Sequence, residues 1–164
     1  MSVPNLMPCV TSSGSLTIRP LTVDELPWCV ESGQAFYREM ALPGRFIPAV
    51  FLATWGRYYA LEMGIVIAAL RDEQVLGVIG GLCFHDQNDG RLCVAEVFWF
   101  LHQAARQGRT GLRLLAALED WAREIGAGEI LMMCLMGYQE DRLGQLYIHQ
   151  GYAPLEVVYR KALT

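Results

Sequence analysis

The stretch EVFWFLHQAARQGRTGLRLLAALEDWARE, Glu96 to Glu124, decides the fold. Counted from Ala95, its first part to Leu101 is apolar but for one glutamate and reads as a β-strand. His102 to Thr110 is a short polar loop, and a helix opens at Gly111. From Leu112 the positions Leu114, Leu115, Leu118, Trp121, Ala122 and Ile125 make one apolar stripe, while Arg113, Glu119, Arg123 and Glu124 face out. Gly126-Ala127-Gly128 stops the helix. Ile130 to Met136 is apolar on both faces, as a strand covered by helices on either side would be. A strand, helix, strand crossover is thus the middle of the protein. Its loop gathers Arg106, Arg109 and Arg113 beside Gly108 and Gly111 in a chain of net charge −4. That reversal of charge points either to an anionic ligand or to a solvated loop with chance arginines.

Working outward toward the N-terminus, Ile65 to Leu70 and Val75 to Phe84 are apolar runs separated by the polar turn Arg71-Asp72-Glu73-Gln74, a hairpin signature. Gly80-Gly81 inside the second run signals a bulge or a close backbone approach. Before the hairpin, Pro48 opens a helix in which Phe51, Leu52, Trp55, Tyr58 and Tyr59 recur at helical spacing until Gly64. An earlier helix, with Thr22 or Asp24 as its cap and Pro27 in its first turn, runs to about Met40. Leu16 to Pro20 alternates as a short first strand. Residues 1–15 read as a flexible arm, leaving 16–164 as one domain. Toward the C-terminus, Leu143, Leu146 and Tyr147 mark a short helix ending at Gly151, and Val157-Val158-Tyr159 reads as a last strand.

The 164 residues, 53% of them hydrophobic, suffice for one substantial core. A pI near 5.3 argues against a nucleic-acid footprint, which needs Lys and Arg over a whole face. Apolar runs such as Val75 to Phe84 fall short of the ~20 residues a bilayer requires, so no membrane partner is expected. Five cysteines without a Cys-x-x-Cys pair suit a reducing cytoplasm. His85, His102 and His149 fit no metal-ligand spacing, and no nucleophile elbow is present; neither a metal nor a covalent enzyme intermediate is expected.

Arg106-Gln107-Gly108-Arg109-Thr110-Gly111, after an apolar strand and before Leu112 and Leu115, resembles the acyl-CoA-binding motif of the GNAT-type N-acetyltransferases. In that motif Arg or Gln is followed by two residues, Gly, one residue, and Gly or Ala. Arg106 and Gly111 match; Arg109 stands where the family has its middle glycine, and Gln103 where it often has Pro. A second stretch, Leu146-Tyr147-Ile148-His149-Gln150-Gly151-Tyr152, resembles the family's Leu-Tyr, three residues, Gly, Phe or Tyr. There the common Asn and Ala fall on Glu140 and Leu143. The order of elements agrees from Leu16 onward. The resemblance implies a single α/β (α+β) domain with a mixed, mostly antiparallel sheet, flanked by helices and splayed at an acyl-CoA cleft.

It also implies transfer of an acetyl group from acetyl-CoA, as co-substrate, to a primary amine by direct attack. The alternative is a non-catalytic acyl-CoA-binding sensor or partner-binding module. Physically, a pyrophosphate is satisfied by N–H groups at a helix N-terminus, which Gln107, Gly108, Arg109, Thr110 and Gly111 supply, with Arg106, Arg109 and Arg113 in reach. The backbone of Trp99, Phe100 and Leu101 is expected to meet the pantetheine arm and polarise the thioester. By the resemblance Glu96 is the base and Tyr147 the acid; otherwise Glu96 is a paired strand-end carboxylate and Tyr147 ordinary core. Alternation puts Val94, Phe98 and Phe100 on the side of Glu96. His85 and Asp86 are reserve bases. The acceptor, a small-molecule or protein amine, would meet aromatic walls around Phe36, Tyr37, Trp55, Tyr58 and Tyr59. Exposed aromatics and an apolar tail are compatible with a homodimer.

Overall fold

In the computed structural model, residues 14–135 and 139–163 are described. The arm expected over 1–15 therefore lies, but for residues 14 and 15, outside the described residues, as do Cys9 and the Met136 end of the expected 130–136 strand. That strand is corrected to one ending at Leu131, with 132–135 irregular and Met133 and Leu135 exposed rather than covered.

Five strands form one sheet in sequence order: β1 (Thr17–Pro20), β2 (Gly64–Arg71), β3 (Gln74–His85), β4 (Leu92–Leu101) and β5 (Glu129–Leu131). Successive pairs are antiparallel except the last, β4 with β5, which is parallel because a helix intervenes. That helix is α3 (Thr110–Glu124); α1 (Val30–Glu39) and α2 (Pro48–Ala60) lie between β1 and β2 in the chain. The mixed, mostly antiparallel sheet expected from the sequence is the one observed.

Alternation along β2 builds two cores. Val66, Ala68 and Leu70 join Leu26, Cys29, Trp55, Phe98 and Phe100 on the side of α1 and α2. Ile65, Ile67 and Ala69 join Leu114, Leu118 and Ala122 of α3 on the other. With both faces covered, β2 is apolar almost throughout. Each large side chain so buried contributes roughly 1.5–3 kcal/mol.

The expected start of α1 is displaced. Val23–Cys29 forms a 3₁₀ segment, and the α-helix begins only at Val30. Pro27 within it has no N–H and biases Leu26 away from the α region, so the tighter turn persists until the proline is passed. The Glu25 carboxylate caps this segment by accepting the Thr22 N–H at 2.9 Å.

Gly80-Gly81 does mark a bulge. Gly80 pairs with Phe98 and Gly81 with Glu96, which leaves Val97 as an extra residue in β4. A Cβ on Gly81 would stand 2.6 Å from Leu118, and one on Gly80 2.3 Å from Phe98, so the two glycines face opposite cores. Cross-strand partners share a face, and Glu96 therefore lies with Val94 on the α3 side. The expectation that Phe98 and Phe100 share its side is corrected: the extra residue shifts the phase and turns them toward α1 and α2.

Residues 134–163 group as a second compact unit. It holds α4 (Glu140–His149), with the Tyr147 ring 5.6 Å from that of Tyr152. Gly151 follows the helix at φ 91°, as its closing turn requires. The last strand expected at Val157-Val158-Tyr159 is not formed: these residues are irregular and 63%, 79% and 92% exposed. An apolar triplet without a ladder partner has nothing to hold it as a strand.

Candidate active site

β4 and β5 pair over only three positions, Cys93 with Glu129, Val94 with Ile130 and Ala95 with Leu131. Beyond Ala95 the strands part, while β4 runs on to Leu101 paired to β3 alone. Its other edge, from Glu96 to Leu101, meets no strand among the described residues. The backbone N–H and C=O groups of Trp99 and Leu101 turn to that edge, while those of Phe100, in phase with the His102 N–H that bonds Leu76, turn to β3.

Glu96 sits where the strands part. Its Oε2 accepts the backbone N–H of Met133 at 3.1 Å, two residues past the end of β5. The residue is 4% exposed, and burial raises its carboxyl from 4.5 to about 7, the Met133 hydrogen bond opposing this only in part. A carboxyl so poised exchanges a proton near neutral pH.

At the far end of β4, Ala105 is buried and anchors the loop, and Gly108 turns it at φ 102°. Arg109 has φ −104° and is the residue before α3, so an ordinary side chain is accommodated where the related motif has glycine. No side chain caps this helix, whose first internal bond runs from the Arg113 N–H to the Arg109 carbonyl at 3.0 Å. The N–H groups of the first turn therefore have no partner within the helix, and they sit at the positive end of its dipole. Gly111 packs on the sheet: a Cβ there would lie 3.1 Å from Leu101 and 3.3 Å from Trp99.

The three arginines differ. Arg109 is exposed, and Arg113 reaches toward the Leu16 carbonyl at 3.5 Å. Arg106 is engaged within the protein: its Nε donates to the Leu101 carbonyl at 2.8 Å and its guanidinium to Glu39 at 2.5 Å. Its backbone N–H bonds the Gln103 carbonyl. Neither Glu39 nor Met133 carried any sequence signal for these contacts, which join residues 67 and 37 positions apart.

The first two of the sequence's candidate groups, the β4 edge with Glu96 and the α3 loop, belong to the same sheet unit. Tyr147 belongs to the other unit, where it is buried. The reserve bases are not brought to Glu96. His85 pairs with Leu92, four residues along β3 from Gly81, about 13 Å away. Its Nδ1 bonds the Gly90 carbonyl, and Asp86 accepts the Asn88 N–H; both residues build the β3–β4 turn. Among the expected acceptor walls, Trp55 is buried core, and the Tyr59 hydroxyl bridges Leu21 and Val66 backbone groups at 3.0 and 2.9 Å. Phe36, Tyr37 and Tyr58 remain half-buried. Among the described residues no cluster of three His, Cys, Asp or Glu could hold a metal, and no helix is long and apolar enough to cross a membrane.

The model of the acetyltransferase (GNAT) family matches residues 31–152, which span the β4 edge, the α3 loop and α4. The chain belongs to the GNAT acetyltransferase family.

Solved structures share its GNAT fold at low identity. A ribosomal-protein-alanine N-acetyltransferase from Brucella melitensis biovar Abortus 2308 superposes with a TM-score of 0.71 at 13% identity, covering 92% of this chain and 100% of that one. An aminoglycoside acetyltransferase from an uncultured soil metagenomic sample, in complex with sisomicin, gives 0.74 at 15%, covering 91% and 96%. An aminoglycoside N-acetyltransferase in complex with CoA gives 0.70 at 18%, covering 94% and 99%. No curated protein matches the sequence. GNAT acetyltransferases use acetyl-CoA, and the bare α3 N-terminus and outward β4 edge are the kinds of group a diphosphate and an amide-bearing arm would engage.

Proposed function

We propose that this GNAT protein transfers an acetyl group from acetyl-CoA to a primary amine by direct attack, with Glu96 as the base. The observation that carries the reading is the buried Glu96 carboxyl, raised to about 7 at the point where β4 and β5 separate. The acceptor arrives as an ammonium. Glu96 takes one of its protons, directly or through a water, and the freed amine attacks the thioester carbonyl. The carbon–nitrogen bond forms, the carbon–sulfur bond breaks, and the thiolate leaves. Its pKa, near ~8.5, makes it a fair leaving group, and Tyr147 is the proposed donor of its proton; the attacking nitrogen sheds its second proton to solvent as the amide forms, and solvent returns one to Tyr147.

In this reading the backbone of Trp99, Phe100 and Leu101 receives the pantetheine arm, and the N–H groups from Gln107 to Gly111 receive the pyrophosphate, with Arg109 beside them. The acceptor side is aromatic, and the Glu39 carboxylate near it is neutralised by Arg106. A monoamine with an apolar body therefore suits it better than a polycation of the aminoglycoside kind. Four free cysteines among the described residues suit a reducing cytoplasm.

An amine panel with acetyl-CoA, read as thiol release, tests the proposal. At least one amine should release CoA, and Glu96→Gln should lower that rate by about 10²–10⁴-fold and remove the acid limb near pH 7. Thermal stabilisation by CoA with no release from any amine would favour the non-catalytic binding module instead.

A further inference from the structure

We infer that Arg106 is a positioning residue, a latch between the acyl-CoA loop and α1 made through Glu39, and not a phosphate ligand. The inference rests on the acyl-CoA reading above and concerns the one motif arginine held within the protein through both its Nε and a terminal nitrogen. Its Nε donates to the carbonyl of Leu101, the last residue of β4, at 2.8 Å. Its terminal nitrogen donates to Oε2 of Glu39, the last residue of α1, at 2.5 Å. The guanidinium carbon stands 5.4 Å from the centroid of the Phe100 ring. Strand end, helix end and aromatic face thus hold one side chain, and both charged groups are only about one-third exposed, at 34% and 35%.

A guanidinium intended for a diphosphate gains by keeping its fork open and its charge uncompensated. Here a carboxylate offsets the charge and a carbonyl takes the Nε donor, which turns the guanidinium into the protein. What the arrangement does provide is a fixed spacing between the chain that leads into the α3 N-terminus and the helix that walls the acceptor side. The loop is thereby held in shape before any ligand arrives, which lowers the ordering cost of binding. Because the latch ends on α1, disturbance of either end is felt on both sides of the site.

The two roles for Arg106 predict opposite signs for one substitution, Glu39→Gln. If Arg106 bound phosphate, removing its competing carboxylate would free it and tighten CoA binding. If Arg106 is a latch, the same change slackens the loop, and CoA binds roughly three- to tenfold more weakly. Calorimetric titration of CoA into wild type, Glu39→Gln, Arg106→Ala and the double variant reads this directly. The latch predicts weakening in both single variants and no further loss in the double variant beyond Arg106→Ala alone. It also predicts that Arg106→Lys, whose point charge cannot serve the Leu101 carbonyl and Glu39 together, fails to restore affinity. Ligand-free melting temperatures of Glu39→Gln and wild type should agree within about 2 °C, since an ion pair still reached by solvent contributes little to global stability. Unchanged or tighter CoA binding by Glu39→Gln overturns the latch while leaving the acyl-CoA reading intact. Failure of the wild-type protein to bind CoA overturns both.

Discussion

The Glu96 carboxylate accepts the N–H of Met133 at 3.1 Å, across the point at which β4 and β5 cease to pair. A side chain here does what the next rung of a parallel ladder would have done, satisfying a backbone donor that the parting strands leave behind. The same contact fixes the orientation of the carboxyl.

Burial gives that carboxyl a measurable signature in stability. Its folded value of about 7 exceeds the unfolded value of 4.5, so the folded protein holds a proton that the unfolded chain has lost between those limits. Stability is full below pH 4.5 and falls as pH rises toward 7, by about 3 kcal/mol at most. Denaturant titrations at pH 5 and pH 8 should show this decline in wild type. Glu96→Gln, which still accepts the Met133 N–H, should flatten it and be the more stable protein at pH 8.

Glu25 acts with the opposite sign. The Arg19 side chain, through hydrogen bonds at 2.7 and 2.8 Å, and then the Thr22 N–H hold its carboxyl down to about 2 from 4.5. Its contribution is present above pH 4.5 and is lost as pH falls toward 2. Glu25→Gln should lower stability at pH 6 and make the acid side of the profile shallower, as followed by circular dichroism.

Gly108 and Gly111 both restrict what can replace them, for different reasons. Nothing lies within 4 Å of a Cβ at Gly108, but its φ of 102° strains any L side chain, so Gly108→Ala should cost about 1–2 kcal/mol. At Gly111 the obstacle is packing against Leu101 and Trp99. Gly111→Ala needs only a shift of a few tenths of an ångström, whereas Gly111→Val should cost about 1–3 kcal/mol and lift the start of α3 from the sheet. Urea denaturation ranks the three variants, and the CoA-induced melting shift should shrink most in Gly111→Val.

Phe98 fills the space over Gly80 and lies against Trp55, with ring centroids 5.5 Å apart. Gly80→Ala would bring a Cβ within 2.3 Å of Phe98 and 2.9 Å of Trp55, and should cost about 1–3 kcal/mol by overpacking. Trp55→Ala opens a cavity instead, at about 3–5 kcal/mol. In combination the two should be less than additive, because the cavity relieves the clash; equilibrium unfolding of the double variant checks this.

Much of this was legible from pattern. The crossover around α3, the hairpin, the aromatic helix and the Gly80-Gly81 irregularity all follow from local periodicity. What periodicity cannot do is say which residue of the facing strand is the extra one, so simple alternation puts Phe98 and Phe100 on the wrong side. Likewise Pro27 was a legible helix signal, yet only the structure shows that it delays α1 to Val30. The apolar character of Val157 to Tyr159 suggested a strand, but strand formation depends on a partner and not on the triplet itself. Glu96 stood out as a lone charge in an apolar run, while its partner Met133 did not, because a backbone N–H leaves no trace in sequence. Motif position alone points Arg106 at an anion, and its pairing with Glu39 is a long-range contact that no local pattern encodes.

Val97 is the one residue of β4 that the inside–outside pattern does not need. Without it, Val94 and Glu96 would still face α3, and Phe98 and Phe100 would still face α1 and α2, in an uninterrupted alternation. What would vanish is the bend that a bulge imposes, at the place where β5 leaves. A chain shorter by that residue would make the more regular β3–β4 ladder.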